Sequence, residues 1–269
     1  MRERLVVGNW KMHTNLSDAA LLATRIRNGM QDVPSDVTVV VCPPTVWLYP
    51  IAEILEHSVD NLFLGAQNLW PGKDGRYTGE VSAWMLSQMC QFSIVGHSER
   101  RVHHMEDRTL INRKVSSALR YNIRPVLCVG EFRRLVPDRS GKLATRRGDT
   151  ASDIFAQLRD GLEGLTPEEV KKVVIAYEPV WAIGSGYAAE LPYVESVIHQ
   201  LREAVDDYVG HGVGEEMTMI YGGSITRENA ERFAHSQEID GALPGGASLN
   251  VNDFIKIASA FHGRSPRES

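Results

Sequence analysis

Glu178 stands at the end of an apolar run, residues 172–177, and at the head of a segment that closes on Gly184 and Gly186. Pro179 fixes the backbone just after the carboxylate. Val180, Trp181, Ala182 and Ile183 supply bulk that can shield a site from water. Gly184, Ser185 and Gly186 let the chain turn and bring amide N–H groups close to an anion. A carboxylate base, an apolar cover and an anion clamp in one short stretch suit proton transfer on a small phosphorylated substrate. On composition alone, a strand end followed by an ordinary surface turn explains the stretch equally well. Three further segments shift the balance, because they supply the partners that such a base needs.

Something must bring those segments together. Short apolar runs alternate with helical patterns along the whole chain. The runs are residues 5–7, 37–42, 62–67, 92–96, 124–130, 173–177, 217–221 and 241–243. Several are continuously hydrophobic, as parallel strands buried on both faces are. Helical spacing marks residues 16–26, 110–121, 150–162, 194–209 and 230–235. Asn15 or Ser17 is suited to cap the first helix, and Thr226 with Glu228 to start the one after the seventh strand. Eight βα units in 269 residues predict a single (β/α)8 barrel in one domain, with a polar tail at 262–269 that frays. The alternative is a doubly wound open sheet, but no GxGxxG follows the first strand.

In a barrel of this kind chemistry gathers at the C-terminal ends of the strands. Those ends deliver Asn9 and Lys11 from the first strand, and His97, Ser98 and Glu99 from the fourth. The sixth delivers Glu178, the seventh Gly222-Gly223-Ser224, and the eighth Gly245-Gly246-Ala247-Ser248. Each has a plainer reading. Lys11 is by itself an ordinary solvated lysine, His97 a satisfied structural histidine, and the paired glycines a turn. Together they form a base, an electrophile, a cation and glycine-rich anion cradles at one mouth.

The residues at these ends are long, ordered motifs. They include Gly8-Asn9-Trp10-Lys11-Met12, Gly65-Ala66-Gln67-Asn68, Tyr77-Thr78-Gly79-Glu80 and Val95-Gly96-His97-Ser98-Glu99-Arg100-Arg101. They continue with Cys128-Val129-Gly130-Glu131, the stretch from Ala176 to Gly186, Tyr221-Gly222-Gly223-Ser224 and Gly245-Gly246-Ala247-Ser248-Leu249. In this order, and nearly end to end, they resemble the triosephosphate isomerase family. The resemblance implies the interconversion of dihydroxyacetone phosphate and glyceraldehyde 3-phosphate through an enediolate. It makes Glu178 the base, His97 the neutral electrophile, Lys11 the fixed cation and Asn9 a further donor, with Glu99 in the same set. His97 precedes a helix start, where the dipole disfavours imidazolium. Gly184, Ser224, Gly245 and Gly246 become the phosphate cradle. Residues Pro179 to Gly186 become the lid, and Ile183 with Leu243 an apolar clamp over the base. No metal and no organic cofactor is implied.

Four departures from the family pattern accompany the match: Pro244 before the cradle, Tyr187-Ala188-Ala189 after the lid, His13-Thr14 after the lysine motif, and Arg76 in the third loop. None removes a catalytic group, but they leave open an isomerase of the same mechanism acting on a four-carbon ketose phosphate such as erythrulose phosphate. A catalytically silent barrel kept as a scaffold is a rival of another class, and a retained set of charged residues argues against it.

Composition narrows the partners. The net charge is −5 with no basic block, which argues against nucleic acid and anionic membranes as partners. Cys42, Cys90 and Cys128 form no CxxC unit and read as buried thiols in a reducing compartment. No signal-peptide core follows Met1, and the expected location is cytoplasmic. The loop that opens at Asn68 and closes at Gly79 is long for a βα connection and carries Trp70 and Tyr77. By resemblance it plugs into a second subunit, so a homodimer is expected, with Thr78 near Asn9, Lys11 or Glu99 of the other chain.

Overall fold

Eight parallel strands close on themselves. They are β1 (Arg4–Asn9), β2 (Val37–Cys42), β3 (Leu62–Ala66), β4 (Phe92–Val95), β5 (Arg124–Val129), β8 (Val174–Tyr177), β9 (Met219–Tyr221) and β10 (Gly241–Ala242). The order around the barrel is β1-β10-β9-β8-β5-β4-β3-β2, and Leu5 paired with Gly241 and Val6 with Ala242 complete the ring. The structure is a computed structural model that describes residues 2–56, 58–138, 141–144, 153–183 and 188–263. All eight strands expected from the apolar runs are present, and the architecture is a (β/α)8 barrel rather than an open doubly wound sheet. A two-stranded antiparallel hairpin, β6 (Val136–Pro137) with β7 (Leu143–Ala144), is added after β5.

The strands read as unbroken apolar runs because both faces are buried. Leu5, Val7, Val40, Cys42, Phe92, Ile94, Val126, Cys128, Val174, Ala176, Ile220 and Leu243 fill the barrel interior. Their neighbours, among them Val6, Val39, Val41, Val95, Leu127, Ile175, Tyr177, Met219 and Tyr221, pack outward into a larger core under the helices. A two-residue period fixes what lies at the mouth. Continuing the inward series along β1, β8 and β9 gives Asn9, Glu178 and Gly222; along β5 it gives Gly130.

Asn15, not Ser17, caps the first helix, Leu16–Gly29, by accepting from the N–H of Asp18. Helices Arg108–Arg120, Leu191–Val209 and Ala230–Ala234 lie where the spacing places them. The segment expected at 150–162 is helical over Ile154–Leu162, capped by Asp153; its residues 150–152 are outside the described residues. After β9, Thr226 opens a turn rather than the helix. Its N–H donates to Asn229 Oδ1, its hydroxyl accepts from Glu228 N–H, and the helix starts at Ala230. Among the described residues no helix is long and apolar enough to cross a membrane.

Candidate active site

Glu178 leaves β8 on the inward side and is 1 % exposed. Its neighbours on both adjacent strands are glycines, and the crowding requires it. A Cβ on Gly130 would lie 1.9 Å from the Glu178 carbonyl oxygen, and one on Gly222 would lie 2.9 Å from Glu178 Cγ. The carboxylate Oε2 accepts from the backbone N–H of Ser98 at 3.0 Å. Oε1 lies 3.0 Å from His97 Nε2, but the ring N–H is not aligned with it, and Oε1 is buried without a well-formed donor.

His97 reaches the mouth because Gly96 adopts φ +67° and turns the chain out of the β4 alternation. A side chain is strained there, and a Cβ would meet Ile111 at 3.1 Å. His97 precedes helix Ser98–His103, and its Nδ1 accepts from Glu99 N–H at 3.2 Å. With Nδ1 accepting, the proton of a neutral ring resides on Nε2, the nitrogen facing Glu178.

Lys11 follows Asn9 with φ +51°, an uncommon conformation for lysine. Two hydrogen bonds hold it there, and a third anchors one of the partners. Asn9 Oδ1 accepts from Lys11 N–H at 3.0 Å, and Gln67 Nε2 donates to the Lys11 carbonyl at 2.8 Å and to the Cys42 carbonyl at 2.9 Å. Lys11 Nζ pairs with Glu99 Oε1 at 2.5 Å. Burial works against the Glu99 carboxylate, but the Lys11 hydrogen bond, with electrostatic attraction from the His97, Lys11 and His103 side chains, keeps its carboxyl below the ordinary range. Gly245 gives the lysine stem room, since a Cβ there would lie 3.2 Å from Lys11 Cε.

Lys11 and His97 border a cavity of about 410 Å³, a size suited to a small metabolite, and Glu178 lies behind its wall against Gly222. Asn9, Lys11, His97, Ser224, Gly245 and Gly246 line it, with Ile183 and Leu243 as apolar walls. The structure therefore brings Glu178, His97, Lys11 and the described part of the glycine-rich segments to one mouth. A larger groove of about 820 Å³ runs between helix Leu16–Gly29 and the start of Val251–Ala260; none of the expected site residues lines it. Of the expected lid, Pro179 leads into a short 3-10 turn at Val180–Ala182 and Ala182 is buried. Gly184, Ser185, Gly186 and Tyr187 lie outside the described residues.

Two residues quoted only as parts of motifs prove to have specific jobs. Gln67 clamps the Lys11 backbone, as above. Glu131 is fully buried, and its Oε1 accepts from Tyr177 and Tyr193 hydroxyls at 2.9 Å each and from Trp181 Nε1 at 2.8 Å. Burial raises its carboxyl above the usual range, although the bonds from Trp181, Tyr177 and Tyr193 pull the other way. Among the described residues no cluster of His, Cys, Asp or Glu could hold a metal ion.

A closed (β/α)8 barrel with a buried carboxylate against a histidine and a fixed lysine, beside a glycine-lined cavity, defines an enzyme of the proton-transfer class. A family model described as triosephosphate isomerase matches residues 4–261. The chain is 38 % identical over 257 residues to the triosephosphate isomerase of Dehalococcoides mccartyi, with 96 % of each chain covered. It is 39 % identical to that of Caldanaerobacter subterraneus subsp. tengcongensis, over 96 % of this chain and all of the relative. It is 40 % identical to that of Carboxydothermus hydrogenoformans, over 96 % and 98 %. The chain belongs to the triosephosphate isomerase family. The relatives named here all carry that one name, which leaves the four-carbon alternative without support.

Proposed function

We propose that this barrel, one domain over residues 1–269, interconverts dihydroxyacetone phosphate and D-glyceraldehyde 3-phosphate. The observation that carries the reading is the placement of Glu178 and His97 Nε2 3.0 Å apart at the edge of the cavity. Glu178 takes a proton from the carbon beside the carbonyl and returns it to the neighbouring carbon. His97 Nε2–H and the Asn9 amide donate to the oxygens of the intervening enediolate, the hydroxyl proton passes from one of these oxygens to the other, and Lys11 balances the charge. Glu99 holds Lys11 over the cavity. Ser224, Gly245 and Gly246, together with Gly184, receive the phosphate through N–H groups. Residues Pro179 to Gly186 cover the reacting carbons, with Ile183 and Leu243 drying the base. No cofactor is required, since a base and an oxyanion site suffice. The protein works in the cytoplasm as a homodimer assembled through the loop 68–79.

The test is a coupled assay with the three-carbon substrate and, in parallel, with erythrulose phosphate. Glu178→Asp withdraws the carboxylate by about 1 Å and is expected to lower kcat on the three-carbon substrate about 100-fold with little change in KM. Unchanged kcat in that variant would remove Glu178 from the role of base. Faster turnover of the four-carbon substrate would replace the three-carbon assignment.

A further inference from the structure

Pro244 stands between two residues that line the candidate cavity, the apolar wall Leu243 and the cradle glycine Gly245. It is buried where β10 runs out. A proline has no N–H, so the position cannot donate to β1 as an ordinary strand residue would. Its carbonyl still accepts from Asn9 N–H at 2.9 Å, which ties it to β1. On the other side, Leu243 N–H donates to the Tyr221 carbonyl of β9 at 2.9 Å.

The bond from Asn9 also aims the next N–H. In a trans peptide the N–H points opposite to the carbonyl it follows. With the Pro244 carbonyl turned to β1, the Gly245 N–H points away from β1. The N–H groups of Ser224, Gly245 and Gly246 donate to no described residue, and all three residues line the cavity. Two torsions of residue 244 set the direction of the Gly245 N–H. The pyrrolidine ring fixes φ, and the Asn9 bond holds ψ. The ring also confines Leu243 to extended backbone. Past Pro244, the Gly245 carbonyl accepts from Ser248 N–H at 2.9 Å and from Ser248 Oγ at 2.6 Å. Gly245 is therefore held from both sides, although glycine has the freest backbone of all residues.

We propose that Pro244 is a positioning residue that sets the cradle before phosphate arrives. The inference rests on the phosphate reading given above. A loop already held in its bound form loses little conformational freedom on binding, and the affinity is correspondingly higher. Replacing a proline whose ring suits the native backbone releases freedom equivalent to about two- to fivefold in an equilibrium constant.

The experiment titrates inorganic phosphate into the whole protein by calorimetry, for the wild type and for Pro244→Val, Pro244→Ala and Pro244→Gly. Backbone freedom at the position rises in that order. Phosphate affinity should fall in the same order, with Pro244→Ala about two- to fivefold below wild type and the loss carried by binding entropy. KM should rise in step while kcat changes little, because the cradle grips ground state and transition state alike. A purely structural proline would lower Tm and leave phosphate affinity unmoved in the folded protein; that result overturns the proposal. So does an equal loss in all three variants, which would trace to the missing ring rather than to backbone freedom. If Pro244→Gly does not fold, the comparison of Pro244→Val with Pro244→Ala decides. Competition between phosphate and the three-carbon substrate in the wild type separates the two readings. If phosphate competes and the variants bind it as the wild type does, only the role of Pro244 fails; if phosphate does not compete, the cradle fails first and the proposal with it.

Discussion

A methyl group placed on Gly222 would come within 2.9 Å of Cγ of Glu178 and within 3.3 Å of the Tyr177 carbonyl oxygen. The seventh barrel strand ends in a glycine so that the carboxylate of the neighbouring strand has somewhere to lie. The Gly222→Ala variant should therefore fold, because the nearest atom belongs to a side chain that can rotate, and it should displace the carboxylate. A shift of up to about 1 Å in a reacting group costs up to about 100-fold in rate. We expect kcat to fall 10- to 100-fold with KM changed little, as steady-state kinetics will show. Gly130→Ala is the harsher control, since its methyl would meet backbone at 1.9 Å. It should yield little folded protein.

Glu131 predicts a pH dependence of stability. Its carboxyl titrates above the usual range in the folded protein because it is buried. Between the unfolded value, about 4.3, and that raised value the folded state binds more protons than the unfolded one. Stability therefore declines as pH rises through this window. Glu131→Gln keeps an oxygen acceptor for Tyr177, Trp181 and Tyr193 and removes the ionisation. Relative to wild type, its Tm should gain as pH is raised from acid toward neutral. Thermal melts at several pH values check this, and parallel curves for the two proteins would contradict it.

The opposite end of the barrel concerns stability alone. Arg202 is 2 % exposed and donates to the carbonyls of Gly214, Met217 and Glu238 and to Asp240 Oδ2, the last at 2.7 Å. Arg202→Met leaves Asp240 buried with a major partner gone, a change that costs about 3–5 kcal/mol. Denaturant melts should show that loss, while kcat per folded molecule at low temperature should stay near wild type. These residues lie at the N-terminal face, far from the mouth.

The barrel was legible because parallel strands buried on both faces leave unbroken apolar runs, and each of the eight runs became a strand. Helices Leu48–Leu55 and Val251–Ala260 were missed, as was the β6–β7 hairpin, whose two-residue strands carry no period to read. Glu178, Asn9, Lys11 and His97 were legible because chemistry restricts residue type at strand ends. Gly130 and Gly222 are the next inward positions of β5 and β9, and the room they make for Glu178 shows only once the barrel sets their strands beside it. Gln67 and Glu131 were not legible in their roles. Gln67 bonds to backbone carbonyls, which any residue supplies, and the three donors to Glu131 come from places far apart in the chain.

Assembly gives the last prediction. The loop 68–79 is ordered from within its own chain: the Trp70 and Tyr77 rings pack at 4.7 Å, and Lys73 lies 5.1 Å from the Trp84 ring centroid. Its root is anchored by Lys114, buried between Asn68 Oδ1 at 2.7 Å and Glu106 Oε1 at 2.6 Å. These contacts fix the loop's shape but do not cover the surface around it. Met12 is 94 % exposed and Met105 82 %, and Tyr77, Trp84, Met85 and Val102 are also exposed. So much solvent-facing apolar surface is unusual for a monomer. Beside it lies a cavity of about 230 Å³ on the outer side of Lys11 and Glu99, bordered by Met12, Gln67, Arg100 and His103. Such a cavity has room for the loop tip of a second copy, with Thr78 near Lys11. Cutting out residues 73–76 should leave the root anchors in place and remove the inserted tip. We expect sedimentation to show monomers and activity to fall steeply, because the strained Lys11 backbone and its pair with Glu99 would lose their outer wall. A wild-type protein that sediments as a monomer at micromolar concentration with full activity would refute the dimer and the role of the loop together.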